Sequence, residues 1–128
     1  MVTSAIGSHA IAVGFNTSAA GANGLAVGSS ASAVGANSVA LGGSATATGA
    51  GGTAVGASAQ AGFVNSTAVG NSAVATRNDQ QMFGTTTNTY TMAGIASAAS
   101  AAVQTGVRQV VTSDASGKAA VHCTIIGF

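Results

Sequence analysis

The sequence contains very little charge. Asp, Glu, Lys and Arg together make up 4% of its 128 residues, whereas a typical soluble domain has about 25%. Aromatic residues also amount to 4%, and the net charge is only +1. The chain is therefore poor in the side chains that acid–base catalysis, metal binding and phosphate recognition need, and it lacks a basic patch for nucleic acid. We predict a protein that is not an enzyme, carries no cofactor or metal, and does not bind nucleic acid.

Further absences exclude other classes of protein. Glycine or a polar residue interrupts every apolar run before the roughly 18 residues that a membrane-spanning helix needs, so the mean hydropathy of +0.49 does not indicate one. The residues after Met1 show no signal-peptide pattern, and a single cysteine, Cys123, excludes an internal disulfide. Proline is absent and 47% of the residues are hydrophobic, which argues against a disordered chain. The length allows one compact domain.

A seven-residue repeat dominates what the sequence does contain. Glycine returns at every seventh residue from Gly7 to Gly56, gives way to Phe63, and returns at Gly70. A coiled coil is excluded because each glycine would cost a helix about 1 kcal/mol, and collagen is excluded because it needs glycine at every third residue. The repeat therefore predicts short β-strands separated by glycine turns. Alanine stands two residues before each position of the series and once more before Arg77, at Ala5, Ala12, Ala19, Ala26, Ala33, Ala40, Ala47, Ala54, Ala61, Ala68 and Ala75.

The residues on either side of each alanine reveal a second period, of fourteen residues. Bulky apolar pairs such as Leu25 and Val27 alternate with small or polar pairs such as Ser18 and Ala20. Because neighbouring side chains of a strand point to opposite faces, inward-pointing alanines leave these pairs on the outside. The sequence thus predicts an all-β parallel solenoid with one apolar and one polar outer face.

The apolar outer face is the candidate interface, because a continuous exposed apolar strip favours association. A strip parallel to the solenoid axis suits a parallel, axially symmetric oligomer, but the strip alone does not define the number of chains. Its predicted members are Ile11, Val13, Leu25, Val27, Val39, Leu41, Val55 and Val69.

Several segments resemble a known family of bacterial proteins. Residues 37–44, Asn-Ser-Val-Ala-Leu-Gly-Gly-Ser, closely resemble the head repeat of YadA-like trimeric autotransporter adhesins, also called the haemagglutinin/invasin head repeat. Residues 23–29 and 65–70 resemble further copies, and the resemblance covers residues 3–77 in register. Residues 83–95 look like adhesins of this kind from Burkholderia.

The resemblance implies a fold, an assembly and a function. The fold would be a left-handed parallel β-roll, a single-stranded solenoid with 14 residues per turn, and three chains would form one head on a coiled-coil stalk. The protein would lie at the cell surface of a Gram-negative bacterium, in contact with the outer membrane only through a C-terminal anchor outside these residues. It would attach to host cells or to matrix proteins of the collagen, fibronectin or laminin class, and promote autoaggregation. The polar outer face would be the candidate ligand face, with Ser18, Ser32, Thr46, Thr48 and Gln60.

The composition changes after residue 76, because all three basic and both acidic residues lie beyond it. We predict head repeats over residues 1–77, a cap or transition over 78–91, and a neck or connector over 92–128. Within that last part, the pattern predicts a short helix over 92–104 and a β-hairpin formed by 107–112 and 119–126. Arg108-Gln109-Val110-Val111 partly fits the neck of the family, so a true neck and an added connector both stay open.

Two other functions compete with adhesion. The stronger alternative is a passive structural spacer of a trimeric surface fibre, without a ligand of its own. An ice-binding solenoid would need a regular threonine array on one flat face, and the scatter of Ser, Thr, Gln and Ala at the outer positions argues against it.

Overall fold

The computed structural model describes residues 2–93 in full and the backbone of residues 110–113 and 119–122. The chain divides into two compact units, Met1–Asn88 and Thr89–Phe128. The division at residues 77 and 91 expected from the composition stays a prediction.

The first unit is a parallel β-solenoid of about six turns, as the repeat predicts. Its strands alternate between two sheets: β1, β3, β5, β7 and β9 form a five-stranded sheet, while β2, β4, β6, β8, β10 and β11 form a six-stranded sheet. All neighbouring pairs are parallel, with Ile11 opposite Leu25 and Ala12 opposite Ala26. The strands are β1 (Ser4–Ala5), β2 (Ile11–Val13), β3 (Ser18–Ala19), β4 (Leu25–Val27), β5 (Ser32–Ala33), β6 (Val39–Leu41), β7 (Thr46–Ala47), β8 (Thr53–Val55), β9 (Gln60–Ala61), β10 (Thr67–Val69) and β11 (Gln81–Phe83).

The core of the solenoid is built from the predicted alanine column. From Ala19 to Ala68 each alanine of the column is fully buried, and Ala75 is nearly so. Ala5 is exposed and Ala12 is half-buried, because these alanines belong to the first turn and no described turn covers them. The inward orientation of the column is therefore confirmed.

A second column of small residues shares the interior, and the sequence analysis missed it. It lies two residues before each alanine, which places both on the same side of an extended chain. Thr17, Ser38 and Ser66 are fully buried members of this column, alongside alanines and glycines. The column reads Thr17, Gly24, Ala31, Ser38, Ala45, Gly52, Ala59, Ser66 and Ala73.

The corners of the solenoid explain the period of seven. One residue per heptad has a left-handed backbone with φ between 52° and 58° at the non-glycine positions, and Asn or Ser occupies most of these corners. Short polar side chains tolerate this conformation better than others do. Polar side chains at stacked corners bind one another: Asn23 Nδ2 donates to Asn37 Oδ1 at 3.0 Å, and Asn65 Nδ2 donates to Asp79 Oδ1 at 3.1 Å.

The repeated glycines serve two different purposes. Gly42 has a φ of 134°, which side-chain-bearing residues rarely adopt. Gly35 has an ordinary φ, but a Cβ atom there would lie 2.2 Å from the carbonyl oxygen of Gly49 in the next turn. Both sets of glycines permit close stacking of the backbones, and the set of Gly42 also permits the turn.

In the second unit, β12 (Val110–Ser113) and β13 (Ala119–His122) form an antiparallel pair with Val110 opposite His122. β13 lies within the predicted segment 119–126, and β12 begins within the predicted segment 107–112 but extends one residue beyond it, to Ser113. Met92 and Ala93 are not helical, and the rest of the helix predicted over 92–104, like the Arg108-Gln109 part of the neck motif, lies outside the described residues. Across the part of the chain that the structure describes, no helix has the length and apolar character to cross a membrane.

Candidate assembly and binding surfaces

The six-stranded sheet presents its predicted apolar face outward. The first and third residues of its strands flank the buried alanine and form two parallel columns in strict register. All eight residues predicted for the interface lie in these columns; we call this set (Ile11, Val13, Leu25, Val27, Val39, Leu41, Val55 and Val69) the apolar ladder.

The two columns of this face differ in composition along the solenoid. The column of Val13 stays apolar through every turn and ends at Phe83. The column of Ile11 is apolar only in its first three turns, because Thr53 follows Val39 in the register. The apolar strip is therefore two columns wide near the amino-terminal end and one column wide beyond β6.

The apolar ladder is open to solvent in the isolated chain. Ile11 is 56% exposed, and the inner members such as Leu25 and Leu41 are half-buried. Ile11 and Val13 keep about half of their surface exposed, whereas the other six ladder residues keep roughly a third or less. Since full burial of a large aliphatic side chain contributes about 1.5–3 kcal/mol, covering the eight residues would contribute on the order of 3–8 kcal/mol per chain. This contribution favours association.

The five-stranded sheet carries the residues predicted for the ligand face. Ser18, Ser32, Thr46 and Gln60 lie in one column, each opposite the next. Thr48 lies two residues after Thr46, in a neighbouring column. We call these five residues the polar face.

The polar face is less uniform than its sequence pattern suggested. Ile6 is 75% exposed and Val34 is 47% exposed, and both occupy the column of Thr48. Val34 departs from the predicted alternation of apolar and polar pairs, because it follows the buried Ala33 and therefore points outward. The face thus offers a column of hydroxyls and one amide beside a mixed column of apolar and small side chains.

The side chains on these two surfaces can make non-covalent contacts with a partner. Hydroxyl and amide groups can exchange hydrogen bonds with a partner, and the aliphatic side chains can be buried against one. Among the residues that the structure describes, no group of three or more His, Cys, Asp or Glu side chains is arranged to hold a metal ion. Ser8 and His9 form a local pair, with 3.0 Å between Ser8 Oγ and His9 Nδ1 at an exposed corner.

Comparison with known proteins gives no relative from which a function could be transferred: no family model matches the chain, and no curated protein matches it. The parallel β-solenoid is compatible with a β-roll head, and the two outer faces are the features on which a function can be argued.

Proposed function

We propose that the chain is the head of a trimeric bacterial surface adhesin. Three copies would pack through their apolar ladders and present their polar faces outward, each copy being a left-handed β-roll with 14 residues per turn. The resemblance of residues 3–77 to YadA-like head repeats supports the handedness and the number of chains. Localisation at the cell surface of a Gram-negative bacterium belongs to the same proposal.

The exposed apolar ladder is the observation that carries the assembly part of the proposal. Its composition favours a parallel arrangement of the copies. With parallel chains in register, the two-column part around Ile11 and Val39 meets its equivalent in the neighbour. An antiparallel arrangement would bury Thr53 and Thr67 against large aliphatic side chains, without partners for their hydroxyls. A parallel arrangement around one axis gives closed cyclic symmetry.

The polar face supports the adhesion part of the proposal. Ser18, Ser32, Thr46 and Gln60 repeat with the spacing of neighbouring strands, about 4.8 Å, so a long partner can make the same contact several times. Three such faces on one head would let weak contacts add up to high avidity. Extended matrix proteins of the collagen, fibronectin or laminin class fit this mode, and contact between heads on different cells would produce autoaggregation.

A binding assay on immobilised matrix proteins tests the adhesion proposal. Collagen, fibronectin and laminin are coated separately, and trimeric wild-type protein is compared with Thr46→Arg and Ala36→Arg. Thr46 lies in the polar face, whereas Ala36 is an exposed corner residue outside both surfaces. We expect Thr46→Arg to weaken binding by tenfold or more and Ala36→Arg to bind like the wild type.

A passive spacer is the second candidate, and the plain chemistry of the outer face favours it. The column of Thr48 includes Ala20 and Gly62, which offer no side-chain hydrogen bonds. If trimeric protein of verified fold binds none of the three matrix proteins and does not aggregate cells that display it, the spacer replaces the adhesin.

A further inference from the structure

The repeat is broken at one position where the backbones approach most closely. Gly7, Gly21, Gly35 and Gly49 form a column that we call the stacking glycines. A Cβ atom on any of them would lie 2.0–2.2 Å from the carbonyl oxygen of the equivalent residue in the next turn. No side chain can occupy such a place without pushing the turns apart. Phe63 holds the fifth position of this column.

The hydrogen bonds between turns change where phenylalanine replaces glycine. In each regular turn, the stacking glycine and the residue before it both donate their amides to one alanine carbonyl. Val34 N and Gly35 N, for example, donate to Ala47 O at 2.9 and 3.2 Å.

The equivalent bonds to Ala75 O are missing. Over residues 2–93, neither Gly62 N nor Phe63 N donates to that oxygen. Phe63 N instead donates to the side chain of Ser66, with 3.3 Å between Phe63 N and Ser66 Oγ.

The two sheets respond differently to this change. The five-stranded sheet ends at β9, and only a single bridge between Gln60 and Val74 continues it. The six-stranded sheet continues for one more strand, with Thr67 to Val69 fully paired to β11. The interruption is therefore confined to the side of the solenoid on which Phe63 lies.

We propose that Phe63 is a steric stop that ends the five-stranded sheet through its Cβ atom. The aromatic ring is 42% exposed, so core packing of the ring does not explain its presence. The Cβ atom occupies the place that the stacking glycines leave empty, and the next turn is displaced on that side. As a result residues 74–76 are held to the preceding turn by one bridge, although Thr76 N also donates to Gln80 Oε1 further along the chain. They form a local unit of low stability that opens independently of the turns before it.

Hydrogen exchange of backbone amides tests this proposal on the intact chain. Phe63→Gly removes the Cβ atom, whereas Phe63→Ala removes only the ring and is the matched control. We expect the amide of Gly62 to exchange at least tenfold more slowly in Phe63→Gly than in the wild type, relative to the amide of Gly56 as an internal reference. In Phe63→Ala the Gly62 amide should exchange at the wild-type rate. The proposal is overturned if the Gly62 amide is equally protected in both variants, or if it gains no protection in Phe63→Gly.

Adding a Cβ atom to a stacking glycine should create the same steric stop one turn before Phe63. Gly49→Ala introduces a Cβ atom whose ideal position is 2.0 Å from Phe63 O. We expect the amide of Thr48 to exchange at least tenfold faster, because its bond to Ala61 O is lost. The amide of Gly56, which follows β8 of the other sheet and donates to Leu41 O, should stay protected. If the Thr48 amide exchanges at the wild-type rate in Gly49→Ala, the proposal is also overturned. Since Gly49→Ala can impair folding, the two variants at Phe63 remain the deciding pair.

Discussion

Replacing Ser38 with alanine should stabilise the protein, although it removes a polar group from a buried site. Ser38 lies in the second inner column, and its Oγ atom has no hydrogen-bond partner among the described residues. An unpaired buried hydroxyl costs about 1–3 kcal/mol. Alanine already occupies the same column at Ala31 and Ala45, where it is buried without distorting the strands. We expect Ser38→Ala to raise the free energy of unfolding by about 1 kcal/mol.

Ser66 provides the matched control, because it occupies the same column but its hydroxyl is paired. Ser66 Oγ donates to Phe63 O at 2.7 Å and accepts from Phe63 N. Ser66→Ala should therefore lower the free energy of unfolding by about 1 kcal/mol. The two substitutions remove the same atom and are predicted to have opposite signs.

Circular dichroism during thermal unfolding measures both effects at one chain concentration. For a chain of this length, 1 kcal/mol corresponds to a shift in Tm of about 3–5 °C. Ser38→Ala should unfold above the wild type and Ser66→Ala below it. If Ser38→Ala lowers Tm as much as Ser66→Ala does, the Ser38 hydroxyl has a partner in solution and the account of the inner column is wrong.

Two further pairs of variants test the faces and the turns. Val39→Asp places a carboxylate in the middle of the apolar ladder, where its burial would cost several kcal/mol. It should abolish the proposed trimer in a molar-mass measurement, while Thr46→Asp on the polar face should leave the proposed trimer intact. Equal loss of assembly in both would contradict the assignment of faces. Gly28→Ala should lower the free energy of unfolding, measured with urea, by at least about 2 kcal/mol. Gly28 has a φ of 131°, and a Cβ atom there would lie 2.6 Å from the backbone of Gly42. Gly43→Ala should change stability by less than about 0.5 kcal/mol, since its Cβ would meet only Ser29 O at 3.9 Å, and a large loss there would show that the corners are packed more tightly than described.

The repeat allowed much of the fold to be predicted from the sequence. Alanine at a fixed distance before glycine predicted the inner column, and the alternation of pairs such as Leu25 and Val27 with Ser18 and Ala20 predicted two sheets with different outer faces. These features are local and recur in every turn, so a single sequence contains many independent copies of the same signal.

The features that were missed depend on packing between turns. Ser38 and Ser66 are polar, so their residue type alone does not place them in a core, although their recurrence two residues before the alanine column does. Phe63 was visible as a break in the glycine series, but the 2.0 Å approach that makes this position critical is a relation between two turns. The half-burial of residues such as Leu25 by their stacked neighbours was also not evident, and it lowers the free energy available for assembly.

The molar mass of the purified chain in solution tests the central claim most directly. Sedimentation equilibrium or light scattering at micromolar concentration should give about three times the chain mass of 11.9 kDa. Covering the apolar ladder stabilises an assembly, and the resemblance to YadA-like head repeats supports three chains. A folded, monodisperse species of 11.9 kDa, with the ladder still in contact with water, would contradict the account.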